Sequence, residues 1–301
     1  MIKKALIFFL AITVLACKKK DEIKTQSNFQ IGIVSDCQYC YCEPNKDFKR
    51  YYKNSTSKFK KAIQEFNSNN LDYTIHLGDF IDQDFNSFDS VLPIWNTLKS
   101  QHYQVLGNHD FSVEDSLKES VPKKMGMDNR YYSIKKNNWR FIVLDGNDLS
   151  FFGTTSNKKK QETDSIYKLL KSEGYKNIQT WNGGLSLEQL KWVQSELDSS
   201  LIKKEKVGFY CHFPVAANDT MHSLWNYNQF FKLIDQYNTV KFYFNGHNHA
   251  GGYFTRNGVH FLTFKGMVDY ADSTAYSVAT ISKDSIFIKG YGREKSRNLE
   301  L

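Results

Sequence analysis

Short runs of apolar residues, rich in β-branched and aromatic side chains, recur along the chain at 30–35, 73–77, 103–106, 139–144, 207–211 and 240–244. Continuous apolar runs of this length, bounded by polar turns, predict strands buried on both faces. Between them the spacing becomes helical. Phe59, Ala62, Ile63 and Phe66 follow i, i+3, i+4, i+7, and so do Phe230, Leu233, Ile234 and Tyr237. Ser186-x-x-Gln189 has the form of a capping box and predicts a helix start, with Leu190, Val193 and Leu197 on one side of that helix. Beyond residue 250 the helical spacing stops, and 259–264, 276–281 and 285–289 predict antiparallel strands. The polar stretch 147–179 reads as an insertion, with a helix over 158–174. Alternating strands and helices of this kind predict an α/β domain.

Composition narrows the picture. A chain of 301 residues with 41% hydrophobic content can bury one sizeable core. The formal charge of +8 suits an anionic substrate, but no long Lys/Arg run exists outside 18–20 and 158–160, so no stable nucleic-acid partner is expected. The first residues, Met1-Ile-Lys-Lys4, form a basic head before an apolar run over 5–16 that is too short to span a bilayer. It ends Val14-Leu15-Ala16-Cys17, which resembles a bacterial lipobox. The resemblance implies a signal peptide over 1–16, acylation of Cys17, and a tether over 17–27. It also implies export and lipid anchoring to the outer membrane or surface of a Gram-negative bacterium. The remaining 28–301 would form a single catalytic domain acting as a monomer.

Four further cysteines, Cys37, Cys40, Cys42 and Cys211, predict neither a zinc site nor a C-x-C disulfide. No second Cys/His pair stands at zinc-finger spacing, and a bridge across one residue closes a strained ring. A Cys37–Cys211 bridge stays open.

The candidate chemistry sits where strands end. Asp36-Cys-Gln38, Gly78-Asp79, Gly107-Asn108-His109-Asp110, Cys211-His212 and Gly246-His247-Asn-His249 each follow a predicted strand. Open α/β sheets place their sites at the carboxyl ends of strands, so the clusters should converge. Asp36 and Gln38, two apart, should leave the same face of a strand end.

This set resembles the calcineurin-like metallophosphoesterase superfamily, whose pattern is D-x-H, G-D, G-N-H-D/E, H and G-H-x-H. The resemblance implies two stacked mixed sheets flanked by helices, a four-layer αββα sandwich, around a dinuclear metal centre. Carried over by position, Asp36, Gln38, Asp79 and His249 would hold one ion, and Asp79, Asn108, His212 and His247 the other. A carboxylate can bridge two ions about 3.5–4 Å apart. Oxygen and imidazole donors suit Mn²⁺, Fe or Zn²⁺. Gln38 stands where the general pattern has His, and its harder amide oxygen favours Mn²⁺.

The Asp-x-Gln variant points to a narrower group, the manganese-dependent ADP-ribose/CDP-alcohol diphosphatases. Arg50-Tyr-Tyr-x-x-Ser55, Asn182-Gly-Gly-Leu-Ser-x-Glu-Gln-Leu-x-Trp192, His212-x-Pro214, Leu224-Trp-Asn-Tyr227 and Gly246-His-x-His-x-Gly-Gly-Tyr253 carry the same resemblance. It implies hydrolysis of a nucleoside-diphosphate substrate by a hydroxide shared between two metals. His109 would be the general acid, steered by Asp110. Arg50 can bind a phosphate bidentately. Phe48, Trp225, Tyr227, Tyr253 and Phe254 are candidate base platforms, with Phe254 favoured, and Asn226 can hydrogen-bond a base edge. Three alternatives stay open: a purple-acid-phosphatase-like enzyme using Tyr39, a broad phosphodiesterase, and a non-catalytic surface binding lipoprotein.

Overall fold

The computed structural model describes residues 28–215 and 221–301. The lipobox and Cys17 lie outside this range. The described chain builds two six-stranded sheets. The first joins β1 (Phe29–Val34), β2 (Tyr73–His76) and β3 (Gln101–Gln104), mutually parallel, to the antiparallel β12 (Ala275–Ile281), β13 (Ser285–Gly292) and β14 (Arg297–Glu300). The second holds β4 (Tyr132–Lys136), β5 (Trp139–Val143), β8 (Lys206–Tyr210), β9 (Val240–Asn245), β10 (Gly252–Arg256) and β11 (Val259–Thr263). A two-stranded ribbon pairs β6 (Leu149–Ser150) with β7 (Gly183–Gly184).

The apolar runs explain the layering. Ile31, Ile33, Ile75, Phe141, Tyr210, Phe242 and Phe244 meet in one core between the sheets. Sheet one is covered by α1 (Ser55–Ser68) and α2 (Phe88–Trp95), where Phe59, Ala62, Ile63 and Phe66 pack beside Phe88, Val91 and Trp95. Sheet two is covered by α5 (Leu187–Lys203) and α6 (Tyr227–Ile234) through Val193, Leu197, Phe230 and Ile234. The short α3 (Val121–Lys124) and the polar α4 (Asn157–Ser172) lie in connecting segments. This is the expected two-sheet α/β sandwich. The Ser186 side chain accepts from the Gln189 backbone N–H at 3.1 Å and caps α5 as its motif predicts.

Some elements differ from the sequence reading. The run 259–264 is expected in an antiparallel set, yet β11 pairs parallel with β9 and antiparallel only with β10. Its neighbour is set by the core demand of Phe261 and Leu262, which strand propensity alone does not reveal. The α2 helix carries Pro93 inside it, a residue that masks a helix in a sequence. The structure also bonds Cys40 to Cys42, with Cα atoms 5.2 Å apart, inside the usual disulfide span of about 4.4–6.8 Å. The expectation against that bridge is corrected: the loop after β1 turns at Tyr41, which points to solvent, and Cys40 packs on Tyr52 and Val268. Cys37 and Cys211 are buried, unbridged thiols.

Candidate metal centre and active-site cleft

All five strand-end clusters converge on one edge of the sandwich. Loops after β1, β2 and β3 bring Asp36, Gln38, Asp79 and Asn108 from sheet one. Loops after β8 and β9 bring His212, His247 and His249 from sheet two. The backbone turns sharply to present them. Asp36, Gln38, Asp79 and His247 all take positive φ, between 42° and 66°. Left-handed backbone is unfavourable for residues with a Cβ and concentrates at functional positions. The simple strand-alternation argument for Asp36 and Gln38 therefore fails, because both lie beyond β1 in left-handed turns. The approach of the β2 and β3 loops is equally tight. A Cβ at Gly107 would lie 2.1 Å from Asp79 Oδ1, so only glycine fits there.

The donor atoms crowd together. Ligand atoms of Asp79, His212 and His247 fall within 4.8 Å of one another. His212 Nε2 is 3.2 Å from Asp79 Oδ2, and His249 Nε2 is 3.4 Å from Asp36 Oδ1. The Gln38 amide donates to Asp79 Oδ2 at 2.9 Å, while its buried Oε1 has no hydrogen-bond partner. Buried Asn108 Oδ1 has none either. Unpaired buried acceptors cost free energy and call for a partner.

Each histidine is locked from behind. His212 Nδ1–H donates to the Leu77 carbonyl at 2.9 Å, His247 Nε2–H to Asn182 Oδ1 at 2.9 Å, and His249 Nδ1–H to Asp269 Oδ1 at 2.8 Å. Such partners fix the tautomer of metal-binding imidazoles. They leave His212 Nε2 and His247 Nδ1 facing each other at 3.1 Å. Two lone pairs at that distance demand a cation between or beside them, either a proton or a metal ion. The charges agree. Burial disfavours the charged forms throughout, but Asp79 beside His212 and Asp36 beside His249 outweigh it and push both imidazoles up to about 9. His247 goes well below its usual value, by burial and then the neighbouring His212. The pocket is built to hold positive charge.

The catalytic candidate His109 sits beside these donors, its backbone N–H donating to Asp79 Oδ1 at 2.8 Å. Its Nδ1 pairs with Asp82, not Asp110 as expected. Asp110 is fully buried and accepts instead from the backbone N–H groups of Asp79, Phe80, Ile81 and Gly107 at 2.7–3.2 Å. It clamps the β2 and β3 loops, and four backbone donors leave it no lone pair to steer a ring. Burial and then the Asp79 charge raise Asp110 to about 7.

A cleft of about 390 Å³ opens beside the donors, with Phe48, Arg50 and His109 among its walls. Trp181, Met221 and His222 complete it, and the sequence reading singles out none of these three. Phe48 is exposed, and its ring lies 5.8 Å from the Arg50 guanidinium. Other substrate candidates go elsewhere. Trp225 is fully buried against Phe151 and Tyr167, and its Nε1 donates to the Gln179 carbonyl. Asn226 is spent on the Leu185 backbone, accepting at 3.0 Å and donating at 2.8 Å. The Tyr227 ring packs on Phe231 in α6. Tyr253 bonds His260, and Phe254 stacks on Phe261 at 4.6 Å, both on the outer strand β10. Proximity in sequence to the metal histidines is misleading for Phe254, because β10 runs away from the cleft. Two residues that matter escape the sequence reading: Asn182, recognisable only as part of a motif, and Asp82, which has no sequence signature.

The two-sheet sandwich and converging clusters match the calcineurin-like phosphoesterase family model over residues 29–251, and the chain belongs to that family. Within it, the chain is 30% identical to the manganese-dependent ADP-ribose/CDP-alcohol diphosphatase of Xenopus laevis, with 90% of each chain covered. It is 28% identical to the Homo sapiens protein of the same name, over 89% of this chain and 92% of that one. A crystal structure of a dimetal phosphatase from Danio rerio superposes with a TM-score of 0.80 at 25% identity, covering 90% of this chain and 98% of that one.

Proposed function

We propose that this chain is a manganese-dependent hydrolase that cleaves the diphosphate bond of nucleoside-diphosphate compounds such as ADP-ribose or CDP-alcohols. The observation that carries the reading is the donor set around Gln38. Its unpaired Oε1, the unpaired Asn108 Oδ1, two carboxylates and three rear-locked imidazoles fit a pair of hard divalent ions. Asp36, Gln38, Asp79 and His249 would hold one ion, and Asp79, Asn108, His212 and His247 the other. Divalent ions there supply charge that polarises phosphoryl oxygens and acidifies water.

The protein's own groups do the rest. Arg50 takes the outer phosphate, where its fork matches two oxygens. His109, held through Nδ1 by Asp82, presents Nε2 to the leaving oxygen. A leaving phosphate monoester needs little proton donation, so His109 acts mainly by stabilising charge. Phe48 offers an exposed face at the cleft mouth. A panel of ADP-ribose, CDP-choline and bis-p-nitrophenyl phosphate, each with Mn²⁺, Mg²⁺ and Zn²⁺, tests the reading. Preference for the diester, or metal-independent turnover, would overturn it.

We also propose that Cys17 is acylated and tethers a monomeric domain to the membrane outside the cytoplasm. The lipobox supports this. Labelled fatty acid should enter the wild type and not Cys17→Ser; equal labelling overturns it. Light scattering at twice the chain mass would overturn the monomer.

A further inference from the structure

The end of the domain opposite the cleft has its own chemistry. The donor loops follow the carboxyl ends of the parallel strands, so the amino ends of β1, β5 and β8 mark the far side. Phe29 opens β1 there and pairs with Ile281, which places the 282–285 turn alongside. Helix α5 ends at the same place, because Lys206, the first residue of β8, donates its backbone N–H to Asn138 and its ammonium to the Lys283 carbonyl. The described chain therefore enters β1 at this end.

Two features on this surface are unusual together. Leu201 is 52% and Ile202 is 82% exposed at the end of α5; Leu201 flanks the buried positions Gln189, Val193, Leu197 and Ser200, and Ile202 lies on the opposite side of the helix. Lysines follow them in the chain. Lys203 and Lys204 follow directly and are exposed. Lys206, Lys241 and Lys283 stand close together: burial, then Lys241, pushes the Lys206 ammonium down, with Asp284 opposing and Lys283 adding to the shift. Of the nearby acids, Glu205 pairs with Arg140 and Asp72 with Lys136, while Asp284 in the 282–285 turn faces Lys206, so the lysines of this surface still outnumber its unpaired acid. An exposed apolar pair at a lysine-rich end of the domain is the chemistry of an anionic lipid surface, where each lysine is attracted to headgroups and the apolar side chains enter the interface. A nucleic acid would have no use for Ile202.

We infer that the Leu201–Ile202 ridge and its lysines form a membrane-contacting face that docks the domain on an anionic lipid surface with the cleft turned away from it. The face stands independently of acylation, although an anchored Cys17 would hold it in place. A single lipid chain or a modest basic patch binds weakly alone, and the two together hold firmly.

The test uses the full chain with Cys17→Ser, so that no acyl group contributes. An environment-sensitive fluorophore is attached at Ile202→Cys or, separately, at Phe48→Cys on the cleft side; Cys37 and Cys211 are buried and Cys40–Cys42 is bridged. Vesicles of phosphatidylcholine with about 30% phosphatidylglycerol should shift the residue-202 probe to the blue and shield it from an aqueous quencher. They should leave the residue-48 probe unchanged. Lys203→Glu with Lys204→Glu should weaken the residue-202 response about tenfold or more in lipid concentration. No shift at 202, equal shifts at both positions, or a response unaffected by the lysine reversals would overturn the assignment. Because acylation is absent from every arm, failure here leaves the lipobox reading to its own labelling test.

Discussion

Asn182 offers the sharpest test of how the metal histidines are held. It is fully buried, and its amide is fixed from both sides. The Nδ2 group donates to the Asn177 and Met221 carbonyls at 2.9 and 2.7 Å, which forces Oδ1 towards His247 Nε2 at 2.9 Å. Truncation in Asn182→Ala removes all three bonds. The two backbone carbonyls lose donors worth about 1 kcal/mol each, so folding stability should fall by about 2 kcal/mol. Separately, His247 loses the acceptor that fixes its tautomer. Partners of this kind are worth about 10–100-fold in metal affinity, or about 1.4–2.7 kcal/mol. The variant Asn182→Asp separates the two effects. A carboxylate keeps an acceptor for His247 but faces two carbonyls with no donor, so it should lose at least as much stability as the alanine variant while holding Mn²⁺ better. Urea denaturation and Mn²⁺ titration by calorimetry read the two quantities independently. If Asn182→Asp lost metal as severely as Asn182→Ala, the amide would act only by pinning its loop, and the tautomer argument would be refuted.

Other expectations follow from named contacts. Gly107→Ala should abolish turnover, because its Cβ would strike Asp79 Oδ1 at 2.1 Å; near-wild-type activity would show that the loops are loose. Asp82→Asn should alter the pH profile and lower kcat while leaving the melting temperature near wild type, whereas Asp110→Ala, which strips the acceptor from four backbone N–H groups, should mainly destabilise the fold. Gln38→His should shift the Mn²⁺/Zn²⁺ activity ratio towards Zn²⁺, since imidazole is the softer donor; an unchanged ratio would remove Gln38 from the ligand set. Lys58, buried in α1 and donating to the Val268, Asp269 and Tyr270 carbonyls, is pushed down from 10.5 to about 8 by burial. Between those two values the unfolded chain keeps a proton that the folded chain has released, so this lysine's penalty on stability is full below about 8 and relieved as pH rises. Lys58→Met should therefore look increasingly destabilised relative to wild type across that window, checked by denaturation at about pH 7, 9 and 10.

The sandwich is legible in the sequence because its inner strands β1, β2, β5, β8 and β9 are buried on both faces and read as apolar runs, and because α1, α5 and α6 keep strict helical spacing; β3, β4 and β10, which are partly exposed, carry mixed polar sequence. The donor clusters are legible because short polar motifs sit directly after those runs. What stays hidden depends on long-range geometry. Asp82 meets His109 across 27 residues, and Asn182 meets His247 across 65. Nothing local marks either pair. The aromatic candidates fail for a related reason: Trp225 and Phe254 are as apolar as the core around them, and sequence cannot tell a stacking platform from packing. The Cys40–Cys42 bridge is hidden because loop conformation, not spacing, decides whether two cysteines can meet.

The donors are divided between the two sheets. Asp36, Gln38, Asp79 and Asn108 ride on one, and His212, His247 and His249 on the other, so neither half carries a complete set. A bound ion is thus a clasp across the sandwich, and pulling the sheets apart must also strip it. Ligand occupancy at about a hundred times its dissociation constant adds about 2.7 kcal/mol to the folded state. Surrounding manganese would then set the protein's durability as well as its rate, because an ion that leaves takes its share of the folding free energy with it.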